Sequence, residues 1–123
     1  MEALLFWFYA ALLFTGTHWP KLHAPGPEGT DKIIHITAFG TWMVLCSCCG
    51  WFGAPFSDRN LLRTLLLAGA YAGIDESLQA FEFVHRSAEL ADYAANAIGV
   101  FSAGLVLLLF RYGLGRRSPG LRA

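Results

Sequence analysis

Long apolar stretches alternate with short polar connections along this chain. Three stretches hold no Asp, Glu, Lys or Arg: Ala3 to Trp19, Ile33 to Ser57 and Tyr93 to Phe110. A further stretch, Leu61 to Phe83, is mostly apolar but carries Asp75 and Glu76 near its end. Because roughly 20 residues of helix cross a hydrocarbon core, we predict four transmembrane helices. Their predicted bounds are about 3–19, 33–54, 61–83 and 92–112.

The composition agrees with a membrane environment. Of 123 residues, 55% are hydrophobic and 15% are charged, which is too apolar for a soluble domain of this size. We therefore predict an all-α integral membrane protein: a bundle of four transmembrane helices at residues 1–112, surrounded by the lipid bilayer, and a basic, disordered tail at 113–123. Nine basic and nine acidic residues leave no net charge, so we expect no nucleic-acid partner.

The distribution of Lys and Arg predicts which way the bundle faces. With four crossings, both termini and the connection between the second and third helices lie on one side. That side carries six arginines: Arg59, Arg63, Arg111, Arg116, Arg117 and Arg122. The other side carries three basic residues: Lys21, Lys32 and Arg86. Since connections rich in Lys and Arg stay in the cytoplasm, we predict that both termini are cytoplasmic.

Nearly all the unusual polar residues fall at the outer end of this predicted bundle. They are Asp31, Lys32 and His35 at the start of the second helix, Asp75, Glu76 and Gln79 at the end of the third, Arg86 in the last connection, and Asp92 and Asn96 at the start of the fourth. Residues three or four apart share a helix face, so each of the three helices presents a polar pair. We predict one shared site built from these three helices.

Glu76 is the carboxylate that we expect deepest in this site. It lies seven residues before the predicted end of its helix, or roughly 10 Å inside that end, where facing lipid costs several kcal/mol. Asp75 lies about 100° from Glu76 around the helix axis, so we rank Asp75 second. We expect His35 to bond to Asp31, and Glu89 to be a solvated loop residue.

Small residues predict which helices touch. Gly69 and Gly73 form a GxxxG step on the third helix, and Ala95, Gly99 and Ala103 form a similar stripe on the fourth. Such stripes let helix backbones approach closely in lipid. We therefore expect the third and fourth helices to pack as a hairpin.

Two segments resemble the VanZ-like family of small bacterial membrane proteins: DKIIHITAFG at 31–40 and AYAGIDESLQAFEFVHRSAELADYAANAIGV at 70–100. In that family Asp-Lys-x-x-His opens one helix, an acid three residues before Gln ends another, an Arg follows, and Asp-x-x-x-Asn-x-x-Gly opens the last. The matching residues are Asp31, Lys32, His35, Glu76, Gln79, Arg86, Asp92, Asn96 and Gly99. Family members often have Val-Pro-Gly-Arg where this chain has Phe-Val-His-Arg at 83–86.

The resemblance implies a location in the bacterial cytoplasmic membrane and a role in the cell envelope. The family takes its name from a protein associated with resistance to the glycopeptide antibiotic teicoplanin. The resemblance does not imply a particular reaction.

The residues themselves leave three functions open. In the first, the outer cluster binds a polar headgroup, such as that of a lipid-linked or cell-wall precursor. Lys32 and Arg86 then hold phosphate, while Gln79 and Asn96 bond to sugar or amide groups. In the second, the cluster is catalytic; in the third, its paired charges lock the outer end of the bundle without a ligand.

The catalytic hypothesis rests on His35 as an acid or base, oriented by Glu76 or Asp92. In a variant of it, the same groups hold a divalent cation. The sequence has no HExxH motif and no second thiol pair beside its three cysteines, so zinc is not indicated. We predict no resident metal and no cofactor.

Overall fold

The computed structural model describes residues 1–19, 25–81 and 89–117, with side chains as far as residue 113. Within these ranges the chain is all-helical, with four α-helices and no strand. Their bounds are Glu2–His18 (α1), Thr30–Cys49 (α2), Asp58–Gln79 (α3) and Leu90–Arg117 (α4). The prediction of an all-α fold with four helices is therefore confirmed.

Two glycines set the ends of α2. Gly29 precedes the helix with φ +88°, and Gly50 follows it with φ +64°. Both values lie in the left-handed region that glycine enters at little cost. The helix consequently begins at Thr30 rather than at residue 33, and it ends at Cys49 rather than at residue 54.

The remaining helix ends also differ from the predicted ones. The Ser57 hydroxyl accepts a hydrogen bond from the Asn60 amide at 3.3 Å, and this cap starts α3 three residues earlier than predicted, at Asp58. α3 ends at Gln79 rather than at residue 83. α4 extends to Arg117 and thus covers residues 113–117 of the predicted tail, because glycine weakens a helix without necessarily ending it.

The helices alternate in direction. Near the N-terminus, the ring of Phe6 packs edge-on against Trp42 and Trp51, with centroids 5.0 and 4.9 Å apart. Arg111, late in α4, donates a hydrogen bond to the carbonyl oxygen of Phe56 at 3.3 Å. The N-terminus, the α2–α3 turn and the later part of α4 therefore share one end of the bundle, which we call the turn end.

Apolar side chains cover the outside of the bundle, and several polar side chains lie inside it. Trp7 and Phe8 are each 64% exposed, and Leu66 is 65% exposed. In contrast, Asn60 and Asn96 are fully buried. Soluble proteins bury apolar residues and expose amides, so this distribution is typical of a surface covered by lipid or by a partner.

Two of the described helices, α2 and α4, are long and apolar enough to cross a membrane, over Thr30–Cys49 and Leu90–Gly113. Only 28% of the apolar stretch of α2 and 22% of that of α4 is buried inside the bundle. The core helix of a soluble fold is mostly buried, so neither helix resembles one. α1 has 17 residues, somewhat fewer than the roughly 20 that span a bilayer. α3 has 22 residues but carries charged residues near both ends.

α3 and α4 pack against each other, as predicted, but α4 packs most extensively on α2. A Cβ atom added at Gly99 would overlap the carbonyl oxygen of Ile36 in α2. Gly69 has no neighbour within 4 Å of an added Cβ. The stripe of small residues on α4 lies against α2, where the two helix backbones approach closely.

Candidate functional site

Polar side chains from all four helices and from Glu89, just before α4, meet at the end of the bundle opposite the turn end. We call this group the polar cluster. Its members are Thr17, His18, Asp31, Lys32, His35, Asp75, Glu76, Gln79, Glu89, Asp92 and Asn96. The alternating helix directions produce this meeting, because they bring the ends of α1 and α3 beside the starts of α2 and α4.

Lys32 joins α2 to the start of α4. Its ammonium lies 2.8 Å from an Asp31 oxygen and 3.2 Å from a Glu89 oxygen, and it also contacts Asp92. The lysine side chain is 30% exposed, so water screens part of this interaction. Three carboxylates around one ammonium nevertheless leave the lysine fully paired.

His35 lies between Asn96 and Asp92. Its Nδ1 atom is 2.8 Å from Asn96 Oδ1, and its Nε2 atom is 3.9 Å from Asp92 Oδ1. Because an amide oxygen only accepts, this geometry places a proton on Nδ1. The Nε2 atom faces the Asp92 carboxylate, so the imidazole ring lies between an amide and a carboxylate of α4.

Glu76 accepts hydrogen bonds from two directions. One carboxylate oxygen accepts the backbone N–H of Glu89 at 2.6 Å, and the other accepts the Gln79 amide at 3.4 Å. Its charge lies within interaction range of His35 and Asp92. Glu76 thus connects the end of α3 to the α2–α4 part of the cluster.

Asp75 faces α1 instead. The carboxylate is fully buried and accepts hydrogen bonds from Thr17 at 3.0 Å and from Tyr71 at 3.4 Å. His18 Nδ1 is 3.7 Å from the same oxygen. Gln79 donates to the second Asp75 oxygen at 3.3 Å and therefore bridges the two adjacent carboxylates of α3.

Two amides in the cluster keep unused hydrogen-bonding capacity. Gln79 is 1% exposed and Asn96 is fully buried. Among the described residues, six buried side-chain atoms have no hydrogen-bond partner: Gln79 Oε1, Asn96 Nδ2 and His18 Nε2 in the polar cluster, and Trp42 Nε1, Ser47 Oγ and Thr64 Oγ1 elsewhere in the bundle. Such atoms are uncommon in folded proteins, because a buried polar group without a partner loses its bonds to water. The two amides of the cluster thus offer one acceptor and one donor to a bound group.

Seven of the eight residues predicted to bind a ligand belong to the polar cluster: Asp31, Lys32, His35, Glu76, Gln79, Asp92 and Asn96. The eighth, Arg86, lies outside the described residues. The expected bond between His35 and Asp31 is not formed, because Asp31 pairs with Lys32 and His35 turns toward α4.

Four members of the wider network were not predicted as site residues. Thr17, His18 and Tyr71 surround Asp75. Glu89, expected to be solvated, has a half-exposed side chain but is bound through its backbone N–H to Glu76 and through its carboxylate to Lys32. Tyr71 could have been predicted as a partner of Asp75, because it lies four residues earlier and therefore on the same face of α3.

The arrangement can bind and orient a polar group, and His35 can exchange a proton with such a group. Within the described part of the chain, no group of three or more His, Cys, Asp or Glu side chains is placed to hold a metal ion. The open capacity of Gln79 and Asn96 is suited to hydrogen bonding rather than to metal coordination.

The sequence matches no protein-family model, and no curated protein or solved structure is similar to the chain.

Proposed function

We propose that this chain is a four-span, VanZ-like protein of the bacterial cytoplasmic membrane, whose polar cluster binds the headgroup of a lipid-linked or cell-envelope molecule. Large apolar side chains are exposed on every helix, including Leu12, Ile34, Leu66 and Leu105. Apolar surface of this kind is stable against lipid and unfavourable in water. This supports four crossings rather than two.

The basic residues support cytoplasmic termini. Arg59 and Arg63 begin α3, and Arg111 lies late in α4, so all three belong to the turn end. With that end in the cytoplasm, the polar cluster faces the outer leaflet. An envelope role follows from this orientation, whereas the link to glycopeptide resistance rests on the resemblance alone.

Those residues of the VanZ-like pattern that the structure describes lie in neighbouring helices, which supports the assignment. His35 bonds to Asn96, and Lys32 contacts Asp92. Gly99, the last residue of the pattern, lies where α4 meets the backbone of α2. These contacts between α2 and α4 are what a shared function of the pattern residues requires.

The observation that carries the binding proposal is the pair of unpartnered amide atoms, Gln79 Oε1 and Asn96 Nδ2. A cluster that served only to lock the helices would gain from satisfying both atoms internally. A headgroup that offers a donor and an acceptor completes them instead. The proposal does not require Lys32 to hold phosphate, because that lysine is already paired with three carboxylates.

A structural lock is the second candidate function. The pairing of Lys32 with Asp31, Glu89 and Asp92 ties α2 to the start of α4 without any ligand. Removing one member of a buried, paired network is strongly destabilising, so such a network holds helix ends in place. The catalytic hypothesis requires in addition a substrate that His35 can reach.

An Asn96→Ala variant distinguishes headgroup binding from a lock. We expect native mass spectrometry of the protein in mild detergent, supplied with a bacterial polar lipid extract, to show retained lipid on the wild type. Loss of one hydrogen bond should weaken retention about tenfold, or about 1.4 kcal/mol. Both proteins are compared well below their melting temperatures.

Thr37→Ala is the matched control, because the Thr37 hydroxyl bonds only to the Ile33 carbonyl of its own helix, at 2.8 Å. This variant should retain lipid as the wild type does. If the wild type retains no polar lipid and Asn96→Ala changes only the melting temperature, the cluster is a lock and the binding proposal fails.

A further inference from the structure

We propose that the molecule bound at the polar cluster is a lipid whose headgroup ends in a primary ammonium, and that one of its acyl chains lies in a groove between α3 and α4. This inference rests on the proposed function and names the class of ligand. It is carried by the shape of the groove, by the excess of carboxylates and by the open acceptor of Gln79.

The groove has a volume of about 640 Å³ and opens on the side of the bundle. Its apolar lining comes from both helices: Ala70, Gly73, Ile74, Leu78, Leu90 and Tyr93. Gly73 leaves room there, since an added Cβ would meet only the Tyr93 ring, at 3.5 Å. Ile74 is 57% exposed and Leu90 is 83% exposed, so the groove continues into the apolar outer surface. A flexible hydrocarbon chain fits such a lateral, apolar channel.

Glu76 and Glu89 line the same groove. Both lie toward its outer part, because Glu76 is near the end of α3 and Glu89 just precedes α4. Glu76 also belongs to the polar cluster, through Gln79 and His35. The groove and the cluster are therefore one continuous site with an apolar body and an acidic head.

The charge of that head favours a cation. The described residues of the cluster include five carboxylates, of Asp31, Asp75, Glu76, Glu89 and Asp92, against the single ammonium of Lys32. Two further positive charges, on His18 and His35, would still leave carboxylates in excess. A site with this balance attracts a cationic group and repels a purely anionic headgroup.

The open hydrogen-bonding capacity distinguishes a primary ammonium from a methylated one. A primary ammonium donates three hydrogen bonds and accepts none. Gln79 Oε1 is a buried acceptor without a partner, and it lies beside the Glu76 carboxylate. A trimethylated ammonium has the same charge but no N–H to donate, so it would leave that acceptor unsatisfied.

The test compares three lipids with identical oleoyl chains: phosphatidylethanolamine, phosphatidylcholine and phosphatidylglycerol. Each is titrated onto the purified wild-type protein in mild detergent, and bound lipid is counted by native mass spectrometry. We expect phosphatidylethanolamine to bind about tenfold more tightly than either of the others, since each comparison removes hydrogen bonds to a charged group. This comparison needs no variant and holds even if a variant fails to fold.

Gly73→Leu tests the groove, with Gly69→Leu as its matched control one turn away. A leucine at 73 fills the groove, whereas position 69 has no neighbour within 4 Å of an added Cβ and does not line it. We expect Gly73→Leu to weaken phosphatidylethanolamine binding at least about tenfold and Gly69→Leu to leave it unchanged.

The inference and the proposed function fail differently. Tighter binding of phosphatidylglycerol, equal binding of phosphatidylethanolamine and phosphatidylcholine, or unchanged binding to Gly73→Leu overturns the ammonium-lipid inference while headgroup binding stands. If none of the three lipids binds, and no lipid from a polar extract is retained either, the proposed function itself is wrong.

Discussion

Gly99→Ala is expected to lower the free energy of unfolding by about 3 kcal/mol, the upper part of the range for overpacking a close contact. The added Cβ would overlap the Ile36 carbonyl oxygen, and backbone atoms cannot rotate away as a side chain can. α4 must therefore move off α2, which also separates His35 from Asn96. Unfolding in mixed micelles of increasing denaturing-detergent content, followed by circular dichroism, measures the change.

Gly69→Ala provides the control for this measurement, because it makes the same chemical change in a helix with open space around it. Alanine is favoured over glycine in a helix by up to about 1 kcal/mol, so this variant should be slightly more stable than the wild type. Equal stability of Gly99→Ala and Gly69→Ala would show that α2 and α4 are not in backbone contact.

Glu76→Gln is expected to abolish most lipid retention while the protein stays folded. The new amide oxygen can still accept the Glu89 N–H. Its NH2 group faces the NH2 group of Gln79 and can donate to Gln79 Oε1 only after the Gln79 amide turns over, which gives up the Gln79 bond to Asp75. The charge, however, is lost, and a hydrogen bond to a charged group contributes about 1.5–3 kcal/mol. Retention should fall at least about tenfold, while the melting temperature falls only by the few degrees that one lost hydrogen bond, about 1 kcal/mol, costs.

Glu76→Leu removes the hydrogen-bonding groups of this side chain as well as its charge, so comparison with Glu76→Gln separates the two effects. It leaves the Glu89 N–H without its acceptor and removes one of the two acceptors of the Gln79 amide, so it should cost about 2 kcal/mol of stability. Glu2→Gln, an exposed acid at the turn end, should change neither stability nor retention. Full lipid retention by Glu76→Gln combined with a large fall in its melting temperature would favour the lock over the binding site.

The four helices could be predicted from the sequence because charges are costly in lipid and therefore mark the limits of apolar segments. The ends of these helices were predicted less accurately. α2 ends where Gly50 adopts a left-handed conformation, and an apolar segment continues past that point to Phe52. Local backbone conformation decided the end of the helix there, and hydrophobicity did not reveal it.

The membership of the polar cluster could be predicted because consecutive helices alternate in direction, which brings polar residues near the ends of α1 and α3 beside those near the starts of α2 and α4. The pairing within the cluster was not. His35 bonds to Asn96 rather than to Asp31 because α2 and α4 touch at Gly99. Helix spacing gives neighbours on one helix, whereas these partners depend on how two helices cross.

The contribution of α1 was missed for a related reason. Thr17 and His18 end an apolar helix and carry no charge in the sequence that points to Asp75. Asp75 lies on a different face of α3 from Glu76, and it needs partners of its own. A buried carboxylate implies a donor nearby, but only the packing of α1 on α3 identifies Thr17 as that donor.

A crystal structure of the protein grown from a lipid phase that contains phosphatidylethanolamine would show whether the polar cluster holds a ligand. We expect a lipid headgroup within about 3.2 Å, a normal hydrogen-bond distance, of Glu76 and of at least one of Gln79 Oε1 and Asn96 Nδ2. If instead both amide atoms are bonded to protein groups and no bound molecule lies among these side chains, the polar cluster is not a lipid site.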